Sequence, residues 1–175
     1  MISLEGSFVR LRAVEPSDID AMYRWENDPE VWRVSNTTAP FSRHTLEKFV
    51  EQQRFDLFES HQQRLIIERL DTEQAIGCID LFELDVLHAR VGVGILIHPH
   101  QERGRGYASD ALAILERYAQ RYLKVHQLWC CITQDNEASL RLFRNAGFEV
   151  CGTKHDWVWT PEGYLDELML QKILP

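Results

Sequence analysis

The spacing of apolar residues divides the chain into short strands and amphipathic helices. Alternating or β-branched apolar runs predict strands at residues 8–12, 64–70, 75–84 and 89–98. Polar turns separate the last three strands, which should therefore form an antiparallel meander. Before the meander, Ser17 and Ser42 stand where helix caps are expected. The second of these two helices should extend to Leu57, and the residues between the helices, 33–40, are polar and predict an irregular loop.

The second half of the chain alternates helix and strand. Apolar residues at three- and four-residue spacing predict a helix of about four turns with an inner face formed by Ala108, Ala111, Leu112, Leu115, Tyr118, Ala119 and Tyr122. A strand at 127–133 follows, and because a helix connects it to the preceding strand, the two should be parallel. Another helix ends at Gly147, and residues 150–159 and 164–174 should form a hairpin.

These elements predict one domain of the α/β (α+β) class over residues 1–175, with a mixed, mostly antiparallel sheet of about seven strands and flanking helices. Its composition, 45% hydrophobic and 26% charged residues, is ordinary for a globular protein. The formal net charge of −8 argues against a general binder of nucleic acid or anionic membranes and is compatible with a cationic amine substrate. No apolar run is long enough to span a bilayer and no signal peptide is evident, so we expect a cytoplasmic protein.

The four cysteines predict neither a disulfide framework nor a metal site. Cys78, Cys130, Cys131 and Cys151 lie in apolar runs and lack the spacing of metal ligands. Adjacent Cys130 and Cys131 should point to opposite faces of a strand. We therefore expect most of the four to fill the core, and no bound metal.

A basic, glycine-rich loop before the long helix is the first sign of chemistry. Gly104 and Gly106 allow close approach to the backbone, Arg103 and Arg105 add positive charge, and the first amides of a helix attract phosphate. The loop lacks the Lys-Ser/Thr pair of a nucleoside-triphosphate loop. It also fits a dinucleotide fingerprint poorly, because residues 123–129, about twenty positions further on, contain no acidic residue for a ribose.

Two motifs resemble those of the GNAT superfamily, the acetyl-CoA-dependent N-acetyltransferases. The pattern Gln101-x-x-Gly104-x-Gly106-x-Ala108 is similar to that superfamily's pyrophosphate loop. Residues 136–148, Asn-Glu-Ala-Ser-Leu-Arg-Leu-Phe-Arg-Asn-Ala-Gly-Phe, resemble its Asn-x-x-Ser-x-x-Leu-Tyr-x-x-x-Gly-Phe helix. The segment from Leu11 to Val31 resembles the branch that acetylates ribosomal-protein N-termini and spermidine.

The resemblance implies a GNAT-like fold in which the fourth and fifth strands splay apart to accept acetyl-CoA. It implies cofactor contacts for Ile95, Ile97, Gln101, Arg103, Gly104, Arg105, Gly106, Tyr107, Ala108, Asn136, Phe143 and Arg144. The implied reaction is acetyl transfer by direct attack of a primary amine, which could be a peptide N-terminus, a polyamine or another small amine. The early helices cover the acceptor side in this superfamily, so Trp32, Asn36 and Phe41 are candidate substrate contacts.

Two positions depart from the superfamily's commoner pattern. Phe143 replaces the tyrosine that could protonate the thiolate, and Gly92 stands where the central strand often carries a glutamate. Asp80 and Glu83 on the preceding strand are then the candidate catalytic carboxylates, although residues three apart should face opposite sides of a strand. Tyr107, Tyr164, Cys130 and His155 are further candidate proton donors.

Two alternatives to the acetyltransferase remain open. One is an acyl-CoA-binding regulatory module that has lost turnover, which the missing tyrosine and glutamate would explain. The other is a nicotinamide-binding oxidoreductase, which would have to bind dinucleotide more tightly than CoA. Exposed Trp157 and Trp159 in the terminal hairpin could serve a homodimer or cover the acceptor groove.

Overall fold

A seven-stranded sheet forms the centre of the protein, in a computed structural model that describes residues 4–35, 37–54 and 56–175. The strand order is β1-β2-β3-β4-β5-β7-β6. The strands are β1 Val9–Ala13, β2 Gln62–Arg69, β3 Ala75–Asp85, β4 Arg90–Ile97, β5 Gln127–Thr133, β6 Glu149–Thr160 and β7 Gly163–Ile173. Among the described strands, only β4 and β5 pair in parallel, and all other neighbours are antiparallel. The predicted fold class, meander and parallel pair are confirmed.

Six α-helices flank the sheet within the described residues. They are α1 Ile19–Glu26, α2 Pro29–Ser35, α3 Arg43–Gln52, α4 Leu57–Ser60, α5 Tyr107–Tyr118 and α6 Glu137–Asn145. Short 3-10 turns precede α1 and α5, and a π-helical turn follows α5. No helix among these residues is long and apolar enough to cross a membrane.

The first helical region differs from the sequence prediction in three ways. Residues 33–40 are not wholly irregular, because α2 begins directly after α1 and extends to Ser35. Leu57 belongs to α4 rather than to α3. Ser17 is not the cap of the first turn, because Asp18 accepts the Glu15 amide there at 2.8 Å. The predicted Ser42 cap is confirmed, since its hydroxyl accepts the Thr45 amide at 3.0 Å.

Alternation along the central strands builds two cores, one on each face of the sheet. Val91, Val93 and Ile97 of β4 point to the core that includes α5 and α6. Leu96 points to the opposite core, which contains Met22 of α1 together with side chains of α3. Helices therefore cover both faces, and the odd and even positions of β4 serve different sides.

The gap between β4 and β5 begins after three paired positions. Arg90, Val91 and Gly92 of β4 pair with residues 127–129 of β5. The pairing between the two strands ends at Gly92 and Trp129. The predicted splay is thus present. The backbone edge of β4 from Val93 onward faces this gap without a strand partner, so its polar groups are available to a ligand.

Candidate active site

A cleft of about 810 Å³ opens where β4 and β5 separate. Five elements form its walls: α2, the end of β4, the glycine loop, the start of α5 and one face of α6. The residues that line it are Glu30, Arg33, Val34, Ile95, Leu96, Ile97, Glu102, Arg103, Gly104, Gly106, Tyr107, Ala108, Ser109, Asn136, Ala138, Ser139, Arg141, Leu142 and Asn145.

The glycine loop brings the start of α5 to this cleft. Gly104 and Gly106 have φ values of 74° and 83°, in the left-handed region that glycine tolerates best. Helix α5 begins at Tyr107, and the Asp110 amide bonds back to the Gly106 carbonyl at 3.0 Å. The amides of the first turn before Asp110 have no carbonyl one turn earlier in the helix, so they can donate to an anion.

The other end of this turn is fixed to β1. The Asp110 carboxylate accepts the amides of Ser7, Phe8 and Val9 at 2.7 to 3.1 Å. This contact holds the start of α5 in place while leaving the amides on the cleft side free of that carboxylate. Contacts within the chain therefore hold the first turn of α5 in position at the cleft.

Arginines add positive charge around the loop. Arg103 and Arg141 line the cleft, and neither lies within 4.0 Å of a carboxylate among the described residues. Arg103 instead donates to the Ile97 carbonyl at 3.3 Å. The positive charges of these two arginines therefore stay uncompensated beside the free amides of α5, although the net charge of the protein is −8. Such a site suits the diphosphate of coenzyme A.

Eight of the twelve residues predicted to contact the cofactor line the cleft: Ile95, Ile97, Arg103, Gly104, Gly106, Tyr107, Ala108 and Asn136. Gln101, Arg105 and Arg144 are exposed and are not among the lining residues. Helix α6 presents Ala138, Arg141, Leu142 and Asn145 instead, a helical spacing that would have excluded Arg144. The lining residues of α2 had no sequence signal, because that helix was not predicted.

Phe143 lies in the core rather than at the cleft. Its side chain is 2% exposed and packs edge-to-face on Phe148, with ring centroids 5.0 Å apart. The adjacent Leu142 reaches the cleft. The cleft therefore receives no hydroxyl from this position of the second motif.

The opposite face of β4 carries Gly92 and Gly94, and two aromatic rings border it. Phe82 of β3 and Trp129 of β5 meet edge-to-face at 5.3 Å, and each is the strand partner of Gly92. A Cβ atom on Gly92 would lie 2.4 Å from the Phe82 ring, whereas one on Gly94 would meet nothing closer than 3.7 Å. Gly92 thus makes room for Phe82, and the position that often holds glutamate is closed by an aromatic ring.

The bulge near these glycines belongs to β3. Phe82 pairs with Gly92 and Asp85 with Arg90, so β3 contains the extra residue. Glu83 occupies this bulge with a φ of 51° and an exposed side chain. It makes no hydrogen bond or ion pair with another described residue.

Asp80 lies beside the open space over Gly94, its partner across the β3–β4 ladder. Both of its carboxylate oxygens accept from Arg64, at 2.8 and 2.9 Å, and Arg64 also donates to Glu26 at 2.5 Å. All three side chains are less than 20% exposed. Burial alone would lower the pKa of Arg64, but the two carboxylates raise it well above its usual value. The cluster therefore holds two negative charges and one positive charge.

A second charged cluster lies on the other side of the gap, on β5, β6 and β7. Cys131 on β5 faces Lys154, whose ammonium lies 3.5 Å from its sulfur and 2.8 Å from Glu167. Burial raises the pKa of the Cys131 thiol, against the opposing charge of Lys154. Cys130 points into the core, where burial raises its pKa to about 12, so it is a poor proton donor.

The structure places the other predicted donors and cysteines as follows. Tyr107 lines the cleft, while Tyr164 and His155 are exposed on the terminal hairpin with Trp157 and Trp159. Cys78 and Cys130 are buried, whereas Cys131 is partly buried and Cys151 is exposed, so two of the four cysteines fill the core rather than most of them. No group of three or more His, Cys, Asp or Glu among the described residues is arranged to hold a metal ion.

Of the predicted acceptor residues, Trp32 lies in α2 and Phe41 lies just before α3. The Trp32 indole donates to the Glu26 carbonyl at 2.5 Å, next to the Arg64 cluster. The backbone of Phe41 forms two hydrogen bonds with the Asn27 side chain, at 2.9 and 3.0 Å. Neither is among the residues that line the cleft, and Asn36 lies outside the described residues.

Two histidines join the end of β4 to the start of α2. His98 Nε2 lies 2.9 Å from Asp28 Oδ2, and His100 Nε2 lies 2.8 Å from Glu30 Oε2. The Glu30 amide and His98 lower the pKa of Asp28, so this carboxyl is ionised at neutral pH. The contact fixes α2 at one wall of the cleft.

Comparison with known proteins agrees with this geometry. The acetyltransferase (GNAT) domain family matches residues 9–149. Spermidine N(1)-acetyltransferase of Escherichia coli (strain K12) is 28% identical over 149 residues, which cover 82% of this chain and 74% of that enzyme. The uncharacterized N-acetyltransferase YoaA of Bacillus subtilis (strain 168) is 27% identical over 156 residues, which cover 89% and 88%.

Solved structures share the fold. The spermidine N-acetyltransferase of Vibrio cholerae, in complex with CoA and spermine, superposes with a TM-score of 0.85 and 19% identity over 95% of both chains. A probable acetyltransferase superposes with a TM-score of 0.84 and 19% identity, covering 96% of this chain and 94% of the other.

Proposed function

We propose that this chain, which belongs to the GNAT acetyltransferase family and is an acetyl-CoA-dependent N-acetyltransferase, acts on a small polyamine. The polyamine attacks the acetyl thioester directly while both substrates are bound. The observation that carries the choice of acceptor is the Glu26–Arg64–Asp80 cluster beside the bare backbone of Gly94. Its excess of one negative charge attracts an alkylammonium ion. The curated relative that acts on spermidine supports the same choice.

The donor side of the site is the cleft between β4, α5 and α6. The amides at the start of α5, together with Arg103 and Arg141, would hold the diphosphate of coenzyme A. The free edge of β4 at Ile95 and Ile97 would bind the pantetheine arm. Acetyl-CoA supplies an activated acetyl thioester, whose thiol product has a pKa near 8.5 and can leave without a side-chain acid. The burial of Phe143 is consistent with that.

The acceptor side is the opposite face of β4. The missing side chain at Gly94 leaves room for an amine against the strand, and Phe82 with Trp129 forms an apolar wall next to it. A wall of this kind excludes water and strengthens the attraction between the ammonium and the neighbouring carboxylates. Positioning of the two substrates then provides much of the rate acceleration.

We assign Asp80 to binding a charged amino group of the polyamine. Both oxygens of the Asp80 carboxylate accept from Arg64, which fixes the position of the carboxylate beside the amine subsite. The attacking nitrogen is a neutral amine that has given its proton to solvent; its bond to the acetyl carbon forms as the carbon–sulfur bond breaks, and CoA leaves as the thiolate. Glu83 lies at the bulge beyond Phe82, about 10 Å further along β3 at the usual rise per residue. We therefore propose no catalytic role for Glu83, although the sequence suggested one.

The assignment predicts that Asp80→Asn raises KM for spermidine by roughly tenfold or more, with a smaller effect on kcat, because one charge is removed from the ammonium subsite. Glu83→Gln is the matched control and should change neither constant. Release of free thiol from acetyl-CoA measures both, and thermal unfolding checks that each variant is folded.

The acceptor panel decides between the proposed substrates. Wild-type enzyme should use spermidine better than butylamine or a neutral peptide with a free N-terminus, because spermidine carries additional charge. A preference for the peptide would refute the polyamine assignment. Tight CoA binding without thiol release from any amine would indicate a regulatory module instead.

A further inference from the structure

Helix α2 lies across the cofactor cleft. Glu30, Arg33 and Val34 line the cleft together with the glycine loop and α6. The segment that carries α2 is closed at its base by Asn27, whose side chain bonds to the backbone of Phe41 and of Tyr23. Asn27 therefore ties the end of α1, just before α2, to the backbone just before α3.

Contacts on two sides hold α2 in this position. Asp28 contacts His98 at the end of β4, as described above. Arg33 forms an ion pair with Asp135 in the turn between β5 and α6. Because β4 and β5 are the strands that separate, α2 spans the mouth of the gap that receives the cofactor.

The second of these contacts is easily exchanged. The side chain of Arg33 is 65% exposed and that of Asp135 is 29% exposed. Ion pairs between solvated groups contribute little to stability. A doubly charged diphosphate in the cleft offers Arg33 a stronger, bidentate partner than one solvated carboxylate.

We propose that Arg33 binds the diphosphate of coenzyme A, leaving Asp135 as it does so, so that α2 contributes a cation to the cofactor site. The inference rests on the acetyl-CoA-dependent function assigned above. Arg33 then completes a set with Arg103 and Arg141, contributed by α2, the glycine loop and α6. Asp135 holds Arg33 beside the cleft when no cofactor is bound.

Calorimetric titration of CoA into three variants tests this role. Arg33→Ala should weaken CoA binding by about tenfold, as expected for the loss of hydrogen bonds to a charged group. Asp135→Ala should bind as tightly as wild type or a few-fold more tightly, because Arg33 no longer has a competing partner. Arg43→Ala removes a similarly exposed ion pair, with Asp20 on α1, and should leave the affinity unchanged.

A second ligand identifies the phosphate. Dephospho-CoA keeps the diphosphate and lacks the 3′-phosphate, so Arg33→Ala should weaken its binding by the same factor. A loss confined to CoA would assign Arg33 to the 3′-phosphate and overturn the proposal. Equal affinities of Arg33→Ala and Arg43→Ala, or equal losses in Arg33→Ala and Asp135→Ala, would also overturn it. Failure of the wild-type protein to bind CoA would refute the enzyme assignment instead.

Discussion

Two groups of arginines in this protein differ in how their charge is compensated. On β1, Arg10 and Arg12 donate to the carboxylate of Glu68, and Arg12 also donates to Asp18 at 2.8 Å. In the cleft, Arg103 and Arg141 have no carboxylate partner among the described residues. The same residue type thus serves two purposes, and its partners tell them apart.

The compensated group behaves as part of the fold. Burial alone would raise the pKa of Glu68, but hydrogen bonds from Arg12 and Arg10 lower it overall. Burial would likewise raise the pKa of Asp18, but its hydrogen bonds with Arg12 lower it overall. These carboxylates remain ionised in the folded protein and join β1, β2 and the first 3-10 turn. Arg103 and Arg141 in the cleft join no elements through carboxylates of the described residues, so their charge remains available to an anionic ligand.

Gly106→Ala should produce the largest change in the cleft. A methyl group beside the free amides would obstruct a phosphate, so CoA affinity should fall by about 100-fold. Gly147→Ala is the matched control, because the two glycines have φ values of 83° and 88° and nearest neighbours at 3.8 and 3.6 Å. Calorimetric titration measures the affinity. Similar CoA affinities for the two variants would contradict the phosphate site.

Glu68→Gln should affect stability and leave the cleft unchanged. It leaves Arg10 and Arg12 with an uncharged partner, and we expect the free energy of unfolding to fall by roughly 2 kcal/mol. The estimate is at the low end for a buried pair because both arginines are partly exposed. Urea denaturation measures the stability, and an accompanying loss of CoA affinity would show that the two groups are coupled.

The same substitution tests the pH dependence of the network. The folded-state pKa of Glu68 is below its ordinary value of 4.5, so the wild-type protein has this stabilisation in full above about pH 4.5 and loses it as the pH falls through the folded value. Glu68→Gln has already lost that contribution. Its stability should therefore decline less steeply with acid than that of the wild type.

Arg141→Ala should produce the smallest change, about a fivefold loss of CoA affinity, because one exposed cation is removed from a group of three. The loss should shrink at high salt, where screening weakens the remaining attraction. Arg144→Ala, three residues along the same helix, is the control and should bind CoA as wild type does. The opposite result would favour the sequence prediction over the structure.

Local patterns predicted the fold, and eight of the twelve residues predicted to contact the cofactor line the cleft. The alternation of the strands, the cap of α3 at Ser42 and the end of α6 at Gly147 depend only on residues close in sequence. The structure contains all three. The glycine loop followed by a helix is equally local, and the cleft is indeed lined by Gly104 and Gly106. The predictions for Gln101, Arg105 and Arg144 relied on motif position alone, which does not say which side of a turn or helix faces the ligand.

The chain by itself determined the order of its elements and the seat for a phosphate, since propensity, alternation and glycine geometry act over a few residues. Only the tertiary structure decided which charges are neutralised. Asp80 meets Arg64 from 16 residues away, and Arg33 meets Asp135 from 102 residues away. Electrostatic energy depends on distance in space and on burial, and neither can be read from separation along the chain.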